Sequence, residues 1–479
     1  MRHTTAALTL VVLIALTAGT PLHAATAKKE DPKGYKLTLT IAGNKDTVMY
    51  MGNYYAGATY ATDTARINKK GQFVFERKER TLLPGLYFFT NPSGNYVEFM
   101  VYHETPNFTF STDERNWTNY MKVKGSKENE LFYTFHRKNR EVYNEIDSAL
   151  RVMGKGEAFS AYRRQAMLRL DSIKETLIAA NPNSMLSLMM NATREPSVPR
   201  VDSAGNEMSP QQRWIYYMDH YFDHMRLEDD ALVRTPDMIF RRRVTTYLDT
   251  NLHNASAEIV CEYVDKLLDR AKPSRENFRY LMHTISEKYL QSNVMSYDAV
   301  YVHLVKRYME AGDCFWMSPS SIDMNVKRAN TWDRLLIGRT APELVMRDID
   351  GDILSMHSLP HKYTLLVFWS PTCGHCKVMI PELYNRFAKY RERFDIGAFA
   401  VLSEPDEETR PKWREFIKSH NLNWLNMDGG EANIDWHEVY DVETTPQIYL
   451  LDKDKKILAK KLNADSFELV IKTIEGVED

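Results

Sequence analysis

Residues 363–369 read Tyr-Thr-Leu-Leu-Val-Phe-Trp, an almost unbroken apolar run, and Cys373-Gly374-His375-Cys376 follows closely. A strand apolar on successive residues is buried on both faces, so it requires a sheet covered by helices on either side. Helical spacing over 377–394, a second buried run at 396–402 and further helical spacing over 408–420 extend the pattern. Segments 447–452 and 456–460 read as a hairpin, and 466–474 as a last helix. Asp350-Gly351 marks one more tight turn upstream. This order, βαβ followed by ββα, assigns 335–479 to an α/β domain.

The Cys-x-x-Cys spacing admits two chemistries. Zinc needs two further ligands, usually a second Cys/His pair, and this stretch offers only the isolated His420 and His437. No metal is expected. A redox dithiol needs nothing more. Cys373 falls between a buried strand and a helix, among unpaired N–H groups at the positive end of the helix dipole. Both favour the thiolate, which is the reactive form. Cys376 falls in the first helical turn, able to close a disulfide with Cys373 and more deeply buried. Gly374 is read as permitting the tight ring, and His375 as adding partial positive charge beside the thiolate. Pro381 is expected to kink the helix. Thr444-Thr445-Pro446 precedes a strand, where a cis Thr445–Pro446 bond would leave the Thr445 backbone open to a substrate peptide.

The string from Phe368 to Lys377, Phe-Trp-Ser-Pro-Thr-Cys-Gly-His-Cys-Lys, together with Pro381 and Thr445-Pro446, resembles the thioredoxin superfamily. Ala341-Pro342, Asp350-Gly351 and Leu450-Leu451-Asp452 are similar to its periplasmic TlpA/ResA-like reductases. The resemblance covers 335–479. It implies that Cys373 attacks, Cys376 resolves, Trp369 supports the site from below and Thr445-Pro446 docks substrate. It implies no cofactor beyond the Cys373–Cys376 disulfide. Its partners would be exported protein thiols and disulfides, with a membrane thiol relay as electron donor for a reductase. Two positions depart from the pattern. Val367 stands where thioredoxins bury an Asp, and Met379 where cytochrome-maturation reductases carry a Glu, so the proton acceptor for Cys376 is missing from both. Glu404 or Glu407 is a candidate substitute, with solvated carboxylates the simpler expectation. His375 replaces the Pro of thioredoxin. Protein disulfide isomerase shares the Gly-His pair and sits at about −180 mV against about −270 mV for thioredoxin, so a potential above thioredoxin's is expected. A thiol peroxidase is a competing reading, with Ser370 three residues before Cys373 where such enzymes prefer Thr. An envelope binding protein using the domain as a scaffold is another.

The remaining residues change texture twice. Leu37, Leu39 and Ile41 alternate with polar residues, and short runs at 47–51, 72–75, 85–89, 96–102 and 108–111 are separated by turns. Residues 28–125 are therefore expected to form an antiparallel β-sandwich-like domain. From 126 to 334 the apolar period is helical, with a loop expected at 194–210. The chain is thus multidomain: β-rich, then all-α, then a thioredoxin-like α/β domain, each expected to bury its own core. Asp63-Thr64-Ala65, Gly71-Gln72-Phe73 and Pro84-Gly85-Leu86-Tyr87 resemble a β-domain often fused to envelope reductases. Arg241-Arg242-Arg243 is read as a solvated helix face. A net charge of −2 gives no argument for nucleic acid. Cys261 and Cys314 are read as buried free cysteines, with a disulfide as the lesser alternative. Arg2, the apolar run 8–18 and Ala25-Thr26-Ala27 read as a cleavable signal peptide over 1–27, sending the chain to the periplasm or cell envelope.

Overall fold

The computed structural model describes residues 34–477. The signal-peptide assignment at 1–27 lies outside the described residues. The described residues begin with eight strands: β1 (Tyr35–Ala42), β2 (Val48–Tyr55), β3 (Ala58–Arg66), β4 (Gln72–Arg77), β5 (Gly85–Thr90), β6 (Tyr96–Val101), β7 (Asn107–Asp113) and β8 (Lys122–Lys124). They form two four-stranded sheets, β4-β1-β7-β8 and β3-β2-β5-β6. Alternation along β1 sends Leu37 and Leu39 inward, into a core with Phe73 and Phe75 of β4, the stacked rings of Phe89 and Phe99, and Phe110 tilted against them. One ladder departs from the antiparallel expectation: β1 and β7 pair parallel. β3 carries few apolar residues and is exposed along most of its length, so it gave no strand signal.

The helical region holds α1 (Lys127–Met153), α2 (Glu157–Ala180), α3 (Met185–Ala192), α4 (Pro210–His220), α5 (Arg241–Thr246), α6 (Ala257–Ala271), α7 (Arg275–Leu290), α8 (Asp298–Leu304) and α9 (Pro319–Arg334). The Ser126 hydroxyl accepts from Asn129 N and starts α1. Independent cores were expected here, and the structure differs. One continuous buried cluster runs from Tyr35 in β1 to Ala329 in α9. The seam is close-packed: Ala56 N donates to Val233 O at 2.7 Å, and a Cβ on Gly85 would meet the Arg234 side chain. Arg243 also departs from the expected solvated face. It is buried, ion-paired with Glu195 and stacked 3.9 Å over the Tyr221 ring. Its neighbours Arg241 and Arg242 are exposed.

The C-terminal domain contains β9 (Val345–Asp348), β10 (Ile353–Ser355), β11 (Tyr363–Trp369), α10 (Gly374–Phe394), β12 (Ile396–Leu402), α11 (Thr409–His420), β13 (Leu425–Ala432), α12 (Trp436–Val439), β14 (Gln447–Leu451), β15 (Ile457–Lys460) and α13 (Ala464–Ile474). Its sheet runs β10-β9-β13-β12-β11-β14-β15. β11, β12 and β13 are parallel, β9 runs antiparallel to β13, β14 antiparallel to β11, and β15 antiparallel to β14. Every residue of β11 and β12 is buried, as their apolar runs demand. Separate clusters cover the two faces of the sheet. Strand β13 was not expected. Its Asp428-Gly429-Gly430 breaks the apolar pattern and carries a register shift, and a Cβ on Gly429 would come 2.3 Å from Leu402 O.

Candidate functional site

β11 ends at the buried Trp369, and the chain turns through Ser370-Pro371-Thr372 into α10. Cys373 is the N-cap residue of α10, extended at φ −72° and ψ 124°. Cys376 lies in the first turn and is fully buried, whereas Cys373 is partly exposed. All four cysteines of the chain are free thiols.

The two thiols at the site differ in acidity. Burial is the largest influence on Cys373 and pushes it up. The hydrogen bonds offered by the Cys376 backbone, the Thr445 and Cys376 side chains and the His375 backbone outweigh it, so Cys373 lies below the ordinary thiol value. Burial pushes Cys376 up to about 12, and the neighbouring Cys373 adds to the rise. Burial likewise raises Cys261 and Cys314 to about 12, which leaves both as weak nucleophiles.

Thr445 and Pro446 come from the loop before β14, antiparallel to β11, which carries them to the mouth of the site. The Thr445–Pro446 peptide is cis. The Cys373 thiol donates to the Thr445 carbonyl at 3.2 Å. Pro381 sits inside α10, where its missing N–H leaves the Lys377 carbonyl without its helical donor. Trp369 is buried beneath the loop, its ring 5.3 Å from that of Phe416. His375 is exposed beside the cysteines. Gly374 does not play the part expected of it. Its φ is not left-handed, and a Cβ there would meet nothing within 4 Å, so ring closure does not require glycine.

Val367 is buried in β11 and supplies no carboxylate. Glu404 was expected to be simply solvated. It is exposed, yet its Oε2 accepts from both Ser370 Oγ and Thr372 Oγ1 at 2.6 Å. The two hydroxyl oxygens are 2.7 Å apart, and Thr372 N donates to Ser370 Oγ at 3.2 Å. These hydroxyls hold Glu404 below the usual carboxylate range. The carboxylate, reaching from just beyond β12, therefore clamps the loop that delivers Cys373. Sequence reasoning had the three residues in view but no signal that they meet. The parallel register placing Trp369 opposite Leu402 brings the two strand ends together.

A family model described as the AhpC/TSA family matches residues 337–460. Models described as domains of unknown function match 35–132 (DUF4369) and 170–325 (DUF5106). A thiol-disulfide oxidoreductase ResA from Bacillus cereus is 26% identical over 137 residues, covering 28% of this chain and 75% of the relative. The C-terminal domain is a ResA-like member of the thioredoxin superfamily. A ResA from Bacillus subtilis (strain 168) is 24% identical over 122 residues, 25% of this chain and 64% of the relative. Among solved structures, a domain of a possible thiol-disulfide isomerase from Cytophaga hutchinsonii is 34% identical. The match covers 29% of this chain and 94% of that one, with a TM-score of 0.27. A thioredoxin-like protein from Bacteroides caccae is 21% identical, covering 58% and 97%, with a TM-score of 0.47. The thioredoxin domain makes the chain a thiol–disulfide oxidoreductase. Among the described residues no helix is long and apolar enough to cross a membrane.

Proposed function

We propose that this oxidoreductase works in the cell envelope and exchanges disulfides with exported proteins through Cys373 and Cys376. The observation that carries the reading is the split between the two thiols: one partly exposed at a helix start and acidified, the other buried and pushed up to about 12. The Cys373 thiolate attacks one sulfur of a substrate disulfide and expels the other as a thiolate. In the mixed disulfide Cys373 carries no charge, which removes one of the influences raising Cys376. Cys376 then loses its proton to solvent or to the departing thiolate and attacks Cys373 Sγ. The substrate leaves with two thiols, and the protein keeps the Cys373–Cys376 disulfide. Run backwards, the same steps oxidise a substrate dithiol. For net reduction, a membrane thiol relay returns two electrons to the pair. Envelope placement rests on the signal-like residues 1–27 and suits disulfide chemistry, which persists outside the cytoplasm.

A Cys376→Ala variant tests this directly. It retains Cys373 but not the resolving thiol, so exported proteins accumulate on Cys373 as mixed disulfides that mass spectrometry identifies. Adducts absent from Cys376→Ala, or equally abundant on Cys373→Ala, would refute the assignment. Hydrogen peroxide separates the peroxidase alternative. Ser370 commits its hydroxyl to Glu404, so disulfides, and not peroxide, are expected to oxidise the pair rapidly.

A further inference from the structure

The helical region does more than sit beside the thioredoxin domain; it builds a wall next to the cysteines. A groove of about 490 Å³ opens between the two, within the range of ordinary ligand pockets. Thr444, Pro446 and Met379 line it from the thioredoxin side, and Asn293, Asp298 and Trp332 from the helical side. Pro446 immediately follows the carbonyl that touches Cys373 Sγ. Met379 is one turn beyond Cys376 on α10. The groove thus begins one residue from the carbonyl that accepts from the reacting thiol.

The opposing wall is fixed in place. Trp332 Nε1 donates to Asp441 Oδ2 at 2.5 Å. Lys460 bonds Asp298 and the Leu335 carbonyl, and Lys461 Nζ donates to Ser292 O at 2.7 Å. Met295 packs onto the thioredoxin core. These contacts also settle the charge of the groove. Lys460 is paired with Asp298, while Asp441, which accepts the Trp332 indole, and Lys461, which donates to a backbone carbonyl, keep opposite charges that cancel across the groove. What remains is an electrically balanced surface of indole, amide and thioether.

We infer that this groove seats the uncharged polypeptide segment flanking the substrate cysteine, so that residues 292–298 and 329–335 of the helical region select which protein disulfides reach Cys373. The inference rests on the disulfide-exchange reading above. An anionic small thiol gains no net attraction there, because the Asp441 carboxylate offsets the Lys461 ammonium.

The test uses the full-length mature chain with Cys376→Ala. Cys373 is loaded with one of two activated disulfides of 5-thio-2-nitrobenzoate. One carries a short uncharged peptide through its central cysteine, the other 2-mercaptoethanol. In each case Cys373 gives its proton to solvent and attacks the carrier sulfur. The nitrobenzoate leaves as a coloured thiolate, and one disulfide replaces another. Amide hydrogen exchange then compares the two adducts. The peptide adduct is expected to slow exchange in 292–298 and 329–335 by about tenfold relative to the mercaptoethanol adduct, the effect of about 1.4 kcal/mol of contact. Asn293→Trp, at an exposed position, fills the groove. It is expected to lower the ratio of peptide to mercaptoethanol loading rates by about tenfold on the same scale. Equal exchange in the two adducts, or an unchanged ratio in Asn293→Trp, overturns the inference while leaving the thiol chemistry standing. Failure of Cys373 to form either adduct overturns the exchange reading itself.

Discussion

Substituting Asp298→Asn removes the partner of a buried lysine across the seam between the helical region and the thioredoxin domain. Asp298 opens α8 and Lys460 ends β15; their side chains are 6% and 5% exposed. Burial dominates the acidity of Lys460 and lowers it, with Asp298 opposing. With the carboxylate replaced by an amide, the ammonium keeps neutral acceptors, the amide oxygen and the Leu335 carbonyl, but loses its counter-charge. Breaking one half of a buried pair costs about 3–5 kcal/mol. The structure sets a ceiling on that figure, because the lysine can discharge instead of remaining buried as an ion. Releasing its proton at about pH 7 from an ordinary value near 10.4 costs about 4.6 kcal/mol, at about 1.36 kcal/mol per unit. The sign of the pH dependence follows. Once rising pH makes discharge the cheaper route, the folded variant holds a neutral lysine and the unfolded state a charged one, so the unfolded state binds the extra proton. The variant's stability therefore rises with pH by about 1.4 kcal/mol per unit, up to the unfolded lysine value. Urea unfolding of wild type and variant between about pH 7 and about pH 9 reads this as a narrowing gap. The double variant Asp298→Asn with Lys460→Met removes both charges and is expected to recover most of the loss. A single-variant loss below about 1 kcal/mol, within the range of exposed pairs, would refute the reasoning. So would a loss that does not change with pH.

Three further outcomes are expected at the site. Limiting iodoacetamide near neutral pH labels Cys373 and spares Cys376; the Cys373 rate levels off below the free-thiol value of about 8.5, because its thiol is lowered, while Cys376 stays protonated to about 12. Equal labelling of the two would reverse the assignment. Glu404→Ala deprives Ser370 and Thr372 of a shared charged acceptor worth about 1.5–3 kcal/mol, and kcat/KM for a protein disulfide is expected to fall about tenfold, with Glu404→Gln restoring most of it and the shape of the Cys373 labelling profile tracking the loss. His375→Pro is expected to lower the reduction potential and raise the Cys373 pKa, measured by equilibration against glutathione; a wild-type potential at or below about −270 mV would show that the surroundings, and not the Gly-His pair, set the poise.

What the sequence discloses about this fold follows how local its signals are. The runs at 363–369 and 396–402 announce β11 and β12 because burial on both faces leaves no polar residue to confuse the pattern. Cys373 and Cys376 are legible for the same reason: their chemistry lies within four consecutive residues, and the adjoining strand and helix fix its setting. β13 is hidden because Gly429, at a close backbone approach, and Gly430 beside it replace the alternation that marks a strand. β3 is hidden because its side chains face solvent along most of the strand.

The Glu404 clamp and the groove wall belong to a different class, since both are made by residues far apart in the chain. Glu404 reaches Ser370 across 34 positions and Asp298 reaches Lys460 across 162. No periodicity connects such residues; only the register of β11 against β12, and the docking of α8 against β15, bring them together. The two long-range pairings serve one end. The clamp holds the loop before Cys373 from the β12 side. The ion pair holds the helical wall where the groove meets Pro446. The dithiol motif is short and local, so its chemistry is legible without the rest of the chain. The groove beside Pro446 is the opposite case: its lining is assembled only when the helical region and the thioredoxin domain fold against each other.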